Sequence, residues 1–228
     1  MFTGSGPGVQ APDGCSVEFY RRLPYIGELE AVREHLPRGA EVLELGCGTG
    51  RLTRKFIEWG LRPTSVDNSP EMLAELPRSS VPMLADIETL RLSKRFDVAV
   101  LASCLVNHPS DATRMRFLET AAEHLKADGL LLAERHDPHW LEAATAGLTS
   151  KLGPMELRVE SVHRVDNVVT MTLRYSDGAN SWLHSFVTVS LSEEDIERML
   201  SNCGFDHFGW LGPKHRWVAA RTRTDDAP

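Results

Sequence analysis

Three glycines at two-residue spacing mark the stretch of this sequence whose chemistry is easiest to interpret. Gly46, Gly48 and Gly50 follow the apolar run EVLEL (41–45) and precede a segment with a helical pattern. Glycines at the end of a strand let the backbone approach a ligand closely, because they carry no Cβ. A dinucleotide-binding turn has the pattern G-x-G-x-x-G, and counted from Gly46 its third glycine would fall at Arg51. The turn therefore indicates a ligand other than a pyrophosphate.

Strand-like and helix-like segments alternate around this turn, which is typical of βαβ units and a doubly wound sheet. The apolar runs do not alternate with polar residues, and such runs favour parallel strands buried on both faces. The predicted strands cover residues 41–45, 63–67, 81–85, 96–103 and 130–134. The predicted helices cover 16–36 with an interruption near Pro24, 51–59, a helix opening at Ser69-Pro70-Glu71, and about 111–126.

The pattern changes in the last third of the sequence. Three strand-like runs separated by turn signals at Asp166-Asn167 and Asp177-Gly178 predict an antiparallel flap over about 156–191. After the flap we expect a helix capped by Ser192 and Asp195, then two strands around 206–211 and 216–221.

The ends of the sequence are predicted to be loose. The start, MFTGSGPGVQAPDG, lacks the charged-then-apolar layout of a signal peptide and is interpreted as a flexible leader over residues 1–14. Residues 223–228 are interpreted as a loose tail. A single domain is therefore predicted over residues 15–222.

Composition excludes several classes of partner. The 228 residues carry a formal net charge of −7, so nothing indicates a nucleic-acid partner. No run approaches the roughly 18–20 apolar residues of a membrane span, so no membrane partner is expected. The four cysteines lie far apart and form no C-x-x-C pair, which favours a reduced, cytoplasmic setting. They are Cys15, Cys47, Cys104 and Cys203.

Further motifs follow the glycine turn in a fixed order. Asp67 ends the second predicted strand, 21 positions after Gly46. The other motifs are Asn68-Ser69-Pro70-Glu71-Met72, Ala85-Asp86-Ile87 after the third strand, and LASCLVNH (101–108) after the fourth. Together with Glu44-x-Gly46-x-Gly48-x-Gly50, this ordered set resembles the class I S-adenosylmethionine-dependent methyltransferases. The resemblance covers about residues 17–150 and implies a Rossmann-like, mostly parallel, seven-stranded sheet, with the antiparallel flap as a late insert.

The resemblance implies that the turn holds the methionine end and ribose of S-adenosylmethionine. Asp67 would accept hydrogen bonds from both ribose hydroxyls, since a carboxylate takes two donors at once. Met72 would lie under the adenine, and Asp86 would accept from its amino group. The acids Glu44, Asp67 and Asp86 would balance the sulfonium and ammonium of the cofactor. The full set of expected cofactor-binding residues is Tyr20, Glu44, Gly46, Cys47, Gly48, Gly50, Asp67, Asn68, Met72, Asp86, Ile87 and Ser103.

Two histidines are candidates for the general base that methyl transfer to a hydroxyl or protonated amine requires. His108 follows the fourth predicted strand and His136 the fifth, so both are expected at one rim of the sheet. Glu134 and Asp137 could orient one imidazole. The residues do not rank His108 against His136, and either could merely cap a strand end.

A metal site is the rival interpretation of this cluster, with His108, His136, Asp137 and His139 as ligand types. Magnesium sites require several convergent carboxylates, which this pattern does not supply. We therefore expect no metal.

Aromatic residues are expected around the site. Tyr20 lies in a segment that could fold over the cofactor as a lid or pack against the sheet. Trp182 and Phe186 could line a substrate cavity from the flap or fill the core beneath it. His163 and His184, also on the flap, are expected at the surface or facing a partner.

The sequence thus predicts an enzyme that transfers a methyl group from S-adenosylmethionine to an oxygen, nitrogen or carbon atom of a small molecule. The high Arg, Ala and Leu content suggests a bacterial source and a secondary-metabolite acceptor, as in antibiotic biosynthesis. A homodimer through the flap is a further expectation. The alternatives are a protein that binds the same cofactor without methylating, such as a cyclase, isomerase or regulatory subunit, and an NAD-dependent oxidoreductase, which Arg51 disfavours.

Overall fold

The computed structural model describes residues 3–223, which form two β-sheets with helices around the larger one. The strands are β1 (Thr3–Ser5), β2 (Glu41–Leu45), β3 (Arg62–Asp67), β4 (Val81–Leu84), β5 (Phe96–Leu101), β6 (Leu125–Glu134), β7 (Thr149–Leu152), β8 (Met155–Val165), β9 (Val168–Ser176), β10 (Ser181–Val189), β11 (Phe205–Leu211) and β12 (Trp217–Thr222). The helices are α1 (Val17–Arg22), α2 (Arg51–Glu58), α3 (Pro70–Leu73), α4 (Asp111–His124), α5 (Pro138–Ala143) and α6 (Glu193–Asn202).

The larger sheet has seven strands in the order β11-β12-β6-β5-β2-β3-β4. Strands β4, β3, β2, β5 and β6 run parallel, and β12 is antiparallel to β6 and β11. This confirms the predicted seven-stranded, mostly parallel, Rossmann-like sheet. Because the strand order reverses beside β2, the carboxyl ends of β2, β3 and β5 open a crevice where such folds bind ligands.

Helices cover both faces of this sheet. Successive residues of β2 point to opposite faces, so Leu43 packs in one core cluster and Val42 in another. The first cluster contains Leu118 of α4, and the second contains Phe56 of α2. All four side chains are fully buried. Burial on both faces explains why these strands are continuous apolar runs.

The second sheet is antiparallel, in the order β1-β10-β9-β8-β7. It contains the three strands expected in the flap and two that the sequence did not predict, β1 and β7. Strand β1 pairs with β10, with Thr3 opposite Ser185. Part of the predicted flexible leader is therefore attached to the second sheet, through β1 and through the Pro7 carbonyl oxygen, which accepts the Trp182 indole N–H. Residues 1, 2 and 224–228, including most of the predicted loose tail, lie outside the described residues.

Helix α1 connects the two sheets and is much shorter than predicted. Ser16 caps it, its hydroxyl accepting a hydrogen bond from the Phe19 backbone N–H at 3.3 Å. The helix ends at Arg22 because Leu23 precedes Pro24, and a residue before proline is driven out of the helical region. The helix packs on the second sheet, where the ring of Phe19 lies 5.8 Å from the ring of Trp182 on β10. Within residues 3–223 no helix combines the length and apolar character needed to cross a membrane.

Candidate active site

The glycine turn between β2 and α2 adopts backbone conformations that only glycine takes readily. Gly46, Gly48 and Gly50 have φ angles of 76°, 54° and 81°. A Cβ added to Gly46 would stand 2.8 Å from a methyl carbon of Leu105. A Cβ added to Gly48 would meet only Tyr20, at 3.9 Å, so Gly48 faces open space.

That space is a cavity of about 310 Å³, called here the glycine cavity. Nine of the twelve residues predicted to bind the cofactor line it: Tyr20, Gly46, Gly48, Asp67, Asn68, Met72, Asp86, Ile87 and Ser103. The fold thus brings together residues from the ends of four different strands, β2, β3, β4 and β5, as expected for the carboxyl edge of a parallel sheet.

Asp67 is held rigidly at the end of β3. One carboxylate oxygen accepts a hydrogen bond from the Gly48 N–H at 2.8 Å, and the other from the Ser69 N–H at 3.0 Å. Burial raises the pKa of Asp67, opposed by these two backbone hydrogen bonds. A carboxylate has about four lone-pair sites, so Asp67 retains acceptor capacity toward the cavity.

The other three predicted cofactor residues do not line the glycine cavity. Glu44 is buried beneath the turn, where one of its oxygens accepts hydrogen bonds from Thr53 and Ser65. Burial raises the pKa of Glu44 to about 7. Cys47 is buried, and Gly50 is the N-cap residue that precedes α2. These residues shape the turn and do not line the glycine cavity, and their role as cofactor contacts stays a prediction.

His108 also lines the glycine cavity. Its ring lies 5.9 Å from that of Phe117, and its Nδ1 accepts a hydrogen bond from the Ser110 N–H at 3.1 Å. Nearby, Asn68 donates to a carboxylate oxygen of Asp86 at 2.9 Å. Burial lowers the pKa of His108, so its imidazole is neutral at pH 7.

The supposed leader supplies part of the same wall. Ala11, Asp13 and Cys15 line the glycine cavity, and the Cys15 thiol donates to the hydroxyl of Tyr20 at 3.6 Å. Sequence reasoning missed these residues. The only local signal was the Asp13-Gly14 turn before the capping serine of α1.

A second cavity of about 460 Å³, called here the flap cavity, lies between the rim of the larger sheet and the second sheet. Residues after β5 and β6 form one side, including Ser103, Glu134 and His136. Helix α1 and strands β7 to β10 form the other, including Phe19 and His184.

His136 lines the flap cavity and does not line the glycine cavity. Its ring lies near parallel to those of Phe186, at 6.0 Å, and Trp140, at 6.4 Å. Burial and the positive charge of Arg216 lower its pKa to about 4, so it is neutral at pH 7. Its backbone N–H donates to the amide oxygen of Asn107 at 2.9 Å, which ties the loops after β5 and β6 together.

The acids next to His136 do not orient an imidazole, contrary to expectation. Glu134 accepts hydrogen bonds from the Ser103 N–H and from Arg216, both at 2.7 Å. Asp137 forms an ion pair with Lys214. Within residues 3–223, no group of three or more His, Cys, Asp and Glu side chains is arranged to hold a metal ion.

Two residues line both cavities, Tyr20 from α1 and Ser103 from the end of β5. Ser103 and the following Cys104 both have positive φ angles, 55° and 58°, which non-glycine residues rarely adopt. Strained backbone of this kind is concentrated at functional sites. Because Tyr20 and Ser103 line both cavities, the glycine cavity and the flap cavity meet at these two residues.

His184 corrects a further expectation. It lies on β10 with only 7% of its surface exposed and lines the flap cavity, instead of facing solvent or a partner. Phe186 lines the same cavity, whereas Trp182 is fully buried in the core beneath α1. His163, on β8, is exposed as expected.

The chain is similar to known methyltransferases. The family model described as "Methyltransferase domain" matches residues 42–129. A putative methyltransferase of Bacillus subtilis is 29% identical over 129 residues, which are 52% of this chain and 51% of that protein. The chain thus spans about half of the length of this relative.

Solved structures share the fold over most of the chain. An S-adenosylmethionine-dependent methyltransferase from Clostridium acetobutylicum superposes with a TM-score of 0.69 at 18% identity, covering 85% of this chain and 87% of that one. CalS10, an amino pentose methyltransferase from Micromonospora echinaspora solved with its cofactor bound, gives a TM-score of 0.67 at 19% identity, covering 92% and 93%.

Proposed function

We propose that the chain is a class I S-adenosylmethionine-dependent methyltransferase that transfers a methyl group to a small molecule, supported by the methyltransferase-domain match over residues 42–129 and by the shared fold. The observation that carries this proposal is the meeting of the two cavities. The glycine cavity is the cofactor site, the flap cavity is the acceptor site, and Tyr20 and Ser103 stand where the methyl group passes between them.

The residues present fit the cofactor. Gly48 leaves room for it at the turn, because a side chain there would project into the cavity. Asp67 would accept from the ribose hydroxyls with the lone pairs that its backbone donors leave free. Asp86 and Met72 would contact the adenine. When bound, S-adenosylmethionine supplies an electrophilic methyl group on a sulfonium, which is a good leaving group.

The chain itself has to position the acceptor and remove its proton. We assign the base to His136, because it lines the flap cavity and its neutral imidazole can accept a proton at pH 7. His108 lies in the wall of the glycine cavity and is assigned to cofactor binding. The low pKa of His136 makes it a weak base, so the nucleophile would be an acidic group or an amine that is already largely neutral.

The acceptor is proposed to be a secondary metabolite. This rests on the sequence composition and on the fold shared with CalS10, which is named as an amino pentose methyltransferase of calicheamicin biosynthesis. The cytoplasmic location and the homodimer through the flap stay predictions.

Calorimetry with S-adenosylhomocysteine and with NAD tests the cofactor assignment directly. We expect the former to bind with a micromolar Kd and NAD not to bind; binding of NAD alone would contradict the proposal. A screen of small molecules for release of S-adenosylhomocysteine then tests methyl transfer. If the cofactor binds but no molecule is methylated, the alternative of a cofactor-binding protein without transferase activity gains support.

A further inference from the structure

The flap cavity has an aromatic wall. Helix α1, helix α5 and the second sheet contribute six rings to it: Phe19, Tyr20, Trp140, Tyr175, His184 and Phe186. Rings of this kind form flat apolar surfaces that favour contact with another ring. A volume of about 460 Å³ is within the range of sites that enclose small organic molecules.

The opposite wall is charged, but its charges are matched. Three carboxylates and three guanidinium groups line the flap cavity, so they contribute no net charge. Glu134 pairs with Arg216 at 2.7 Å, and Glu28 pairs with Arg51. A charged acceptor would lose its hydration on entering, and the paired wall offers no net opposite charge in return. The wall therefore favours an uncharged acceptor.

One polar atom in this region lacks a partner. The Nε2 of His184 is shielded from water and has no hydrogen-bond partner among residues 3–223. The rings of Tyr175 and Tyr20 lie 5.6 Å and 6.0 Å from that of His184. Burial lowers the pKa of His184 to about 4, so the imidazole stays neutral at pH 7. Buried polar atoms are nearly always paired, and His184 lines the flap cavity, so its unpaired Nε2 is a candidate to gain a partner from a ligand bound there.

We propose that the acceptor is an uncharged, ring-containing small molecule with a hydroxyl group that hydrogen-bonds to His184. This inference rests on the proposed function, because it assigns the flap cavity to the acceptor. His184 is then a binding residue that distinguishes acceptors with this hydroxyl from those without it. The paired charges of the opposite wall select against ionised molecules of the same shape.

Three probes of one ring system separate these requirements. 2-Naphthol is uncharged and carries a hydroxyl, 2-methoxynaphthalene cannot donate a hydrogen bond, and 2-naphthoate is an anion. Their Kd values are measured on the full chain saturated with S-adenosylhomocysteine, which occupies the cofactor site. We expect 2-naphthol to bind at least about 10-fold more tightly than 2-naphthoate. We expect it to bind about 5–10-fold more tightly than 2-methoxynaphthalene, the worth of one net hydrogen bond.

His184→Phe removes the hydrogen-bonding atom and keeps a ring of similar size. In this variant 2-naphthol and 2-methoxynaphthalene should bind with about equal Kd values. The control is His163→Phe, the same change at an exposed histidine of the same sheet, which should leave the preference unchanged.

Three results would overturn the inference: equal binding of 2-naphthoate, an unchanged preference in His184→Phe, or no binding of any probe. The comparison of 2-naphthol with 2-naphthoate uses the natural chain, so it holds even if His184→Phe does not fold. Failure of the proposed function looks different, since S-adenosylhomocysteine itself would then not bind. If it binds while the probes fail, only the acceptor inference is refuted.

Discussion

Replacement of Asp67 tests whether the ribose of the cofactor lies where β3 ends. Its carboxylate accepts two backbone N–H groups, from Gly48 and Ser69, and is proposed to accept the ribose hydroxyls as well. Asp67→Ala removes all of these acceptors and leaves the two backbone donors to water or to nothing. Hydrogen bonds to charged groups contribute about 1.5–3 kcal/mol. We therefore expect the Kd of S-adenosylhomocysteine to rise by about 10–150-fold.

Isothermal titration calorimetry measures this change, and thermal denaturation shows how far the fold itself is affected. Asp97→Ala is the matched control, because Asp97 also accepts a backbone N–H, from Glu41 at 2.8 Å, but at the start of β5. That variant should lose stability and keep its affinity for S-adenosylhomocysteine. A folded Asp67→Ala protein with the affinity of the natural chain would refute the assignment of the glycine cavity to the cofactor.

Three further predictions follow from the site. His136→Ala should lower turnover at least about 100-fold with little change in S-adenosylhomocysteine affinity. His108→Ala should weaken that affinity instead. Normal turnover of His136→Ala in a methylation assay would show that His136 is not the base. Gly48→Ala should weaken S-adenosylhomocysteine binding about 10-fold or more in calorimetry, because its Cβ enters the cavity and its φ of 54° is strained. Gly60→Ala, which places a Cβ in open space at a φ of 77° outside the site, should not change the affinity. His136 and His184 should lower the unfolding free energy in acid, because their folded-state pKa values are lowered to about 4 while the unfolded chain binds protons near pH 6.5. Glu44, whose folded-state pKa is raised to about 7, acts in the opposite direction over the same pH range. Urea unfolding at about pH 7 and about pH 5 isolates the histidine contribution, because the change between the two pH values should be on the order of 2 kcal/mol less destabilising in His184→Phe than in the natural chain. An unchanged pH dependence in that variant would contradict the burial of His184 in the neutral form.

The larger sheet could be predicted because its local signals agree with its tertiary context. Strands such as β2 and β5 are apolar on both faces, and the structure buries them on both faces. Asp67 was predictable for a related reason, since its place at a strand end fixes its position in space once the sheet is parallel. The position of a residue in or after a strand does not fix the direction of its side chain. Glu44 lies inside β2, and its side chain points beneath the glycine turn toward Thr53.

The folded leader could not be predicted, because its glycines serve close packing and look like those of a flexible loop. A Cβ at Gly4 would stand 2.1 Å from the carbonyl oxygen of Gly14, and one at Gly6 would stand 2.6 Å from the ring of Trp182. The contact with Trp182 exists only after β1 has paired with β10, which lies about 180 residues away in the sequence. The local sequence pattern of the leader therefore does not indicate that β10 is its partner strand. The same holds for His184, whose alternating strand fits an exposed and a buried face equally well.

The junction of the two cavities shows why these hidden contacts matter for function. Tyr20 reaches the junction because Ser16 caps α1, and the Ser16 hydroxyl is itself held by the carbonyl oxygen of Pro7 at 2.7 Å. The same carbonyl oxygen accepts the indole N–H of Trp182 at 3.0 Å, which ties the leader, α1 and the second sheet to one atom. Ser103 reaches the junction from the other side, through a strained turn held by Glu134. The walls of the glycine cavity and the flap cavity are therefore connected through hydrogen bonds to the Pro7 carbonyl oxygen, so we expect a change in this segment to act on both cavities together.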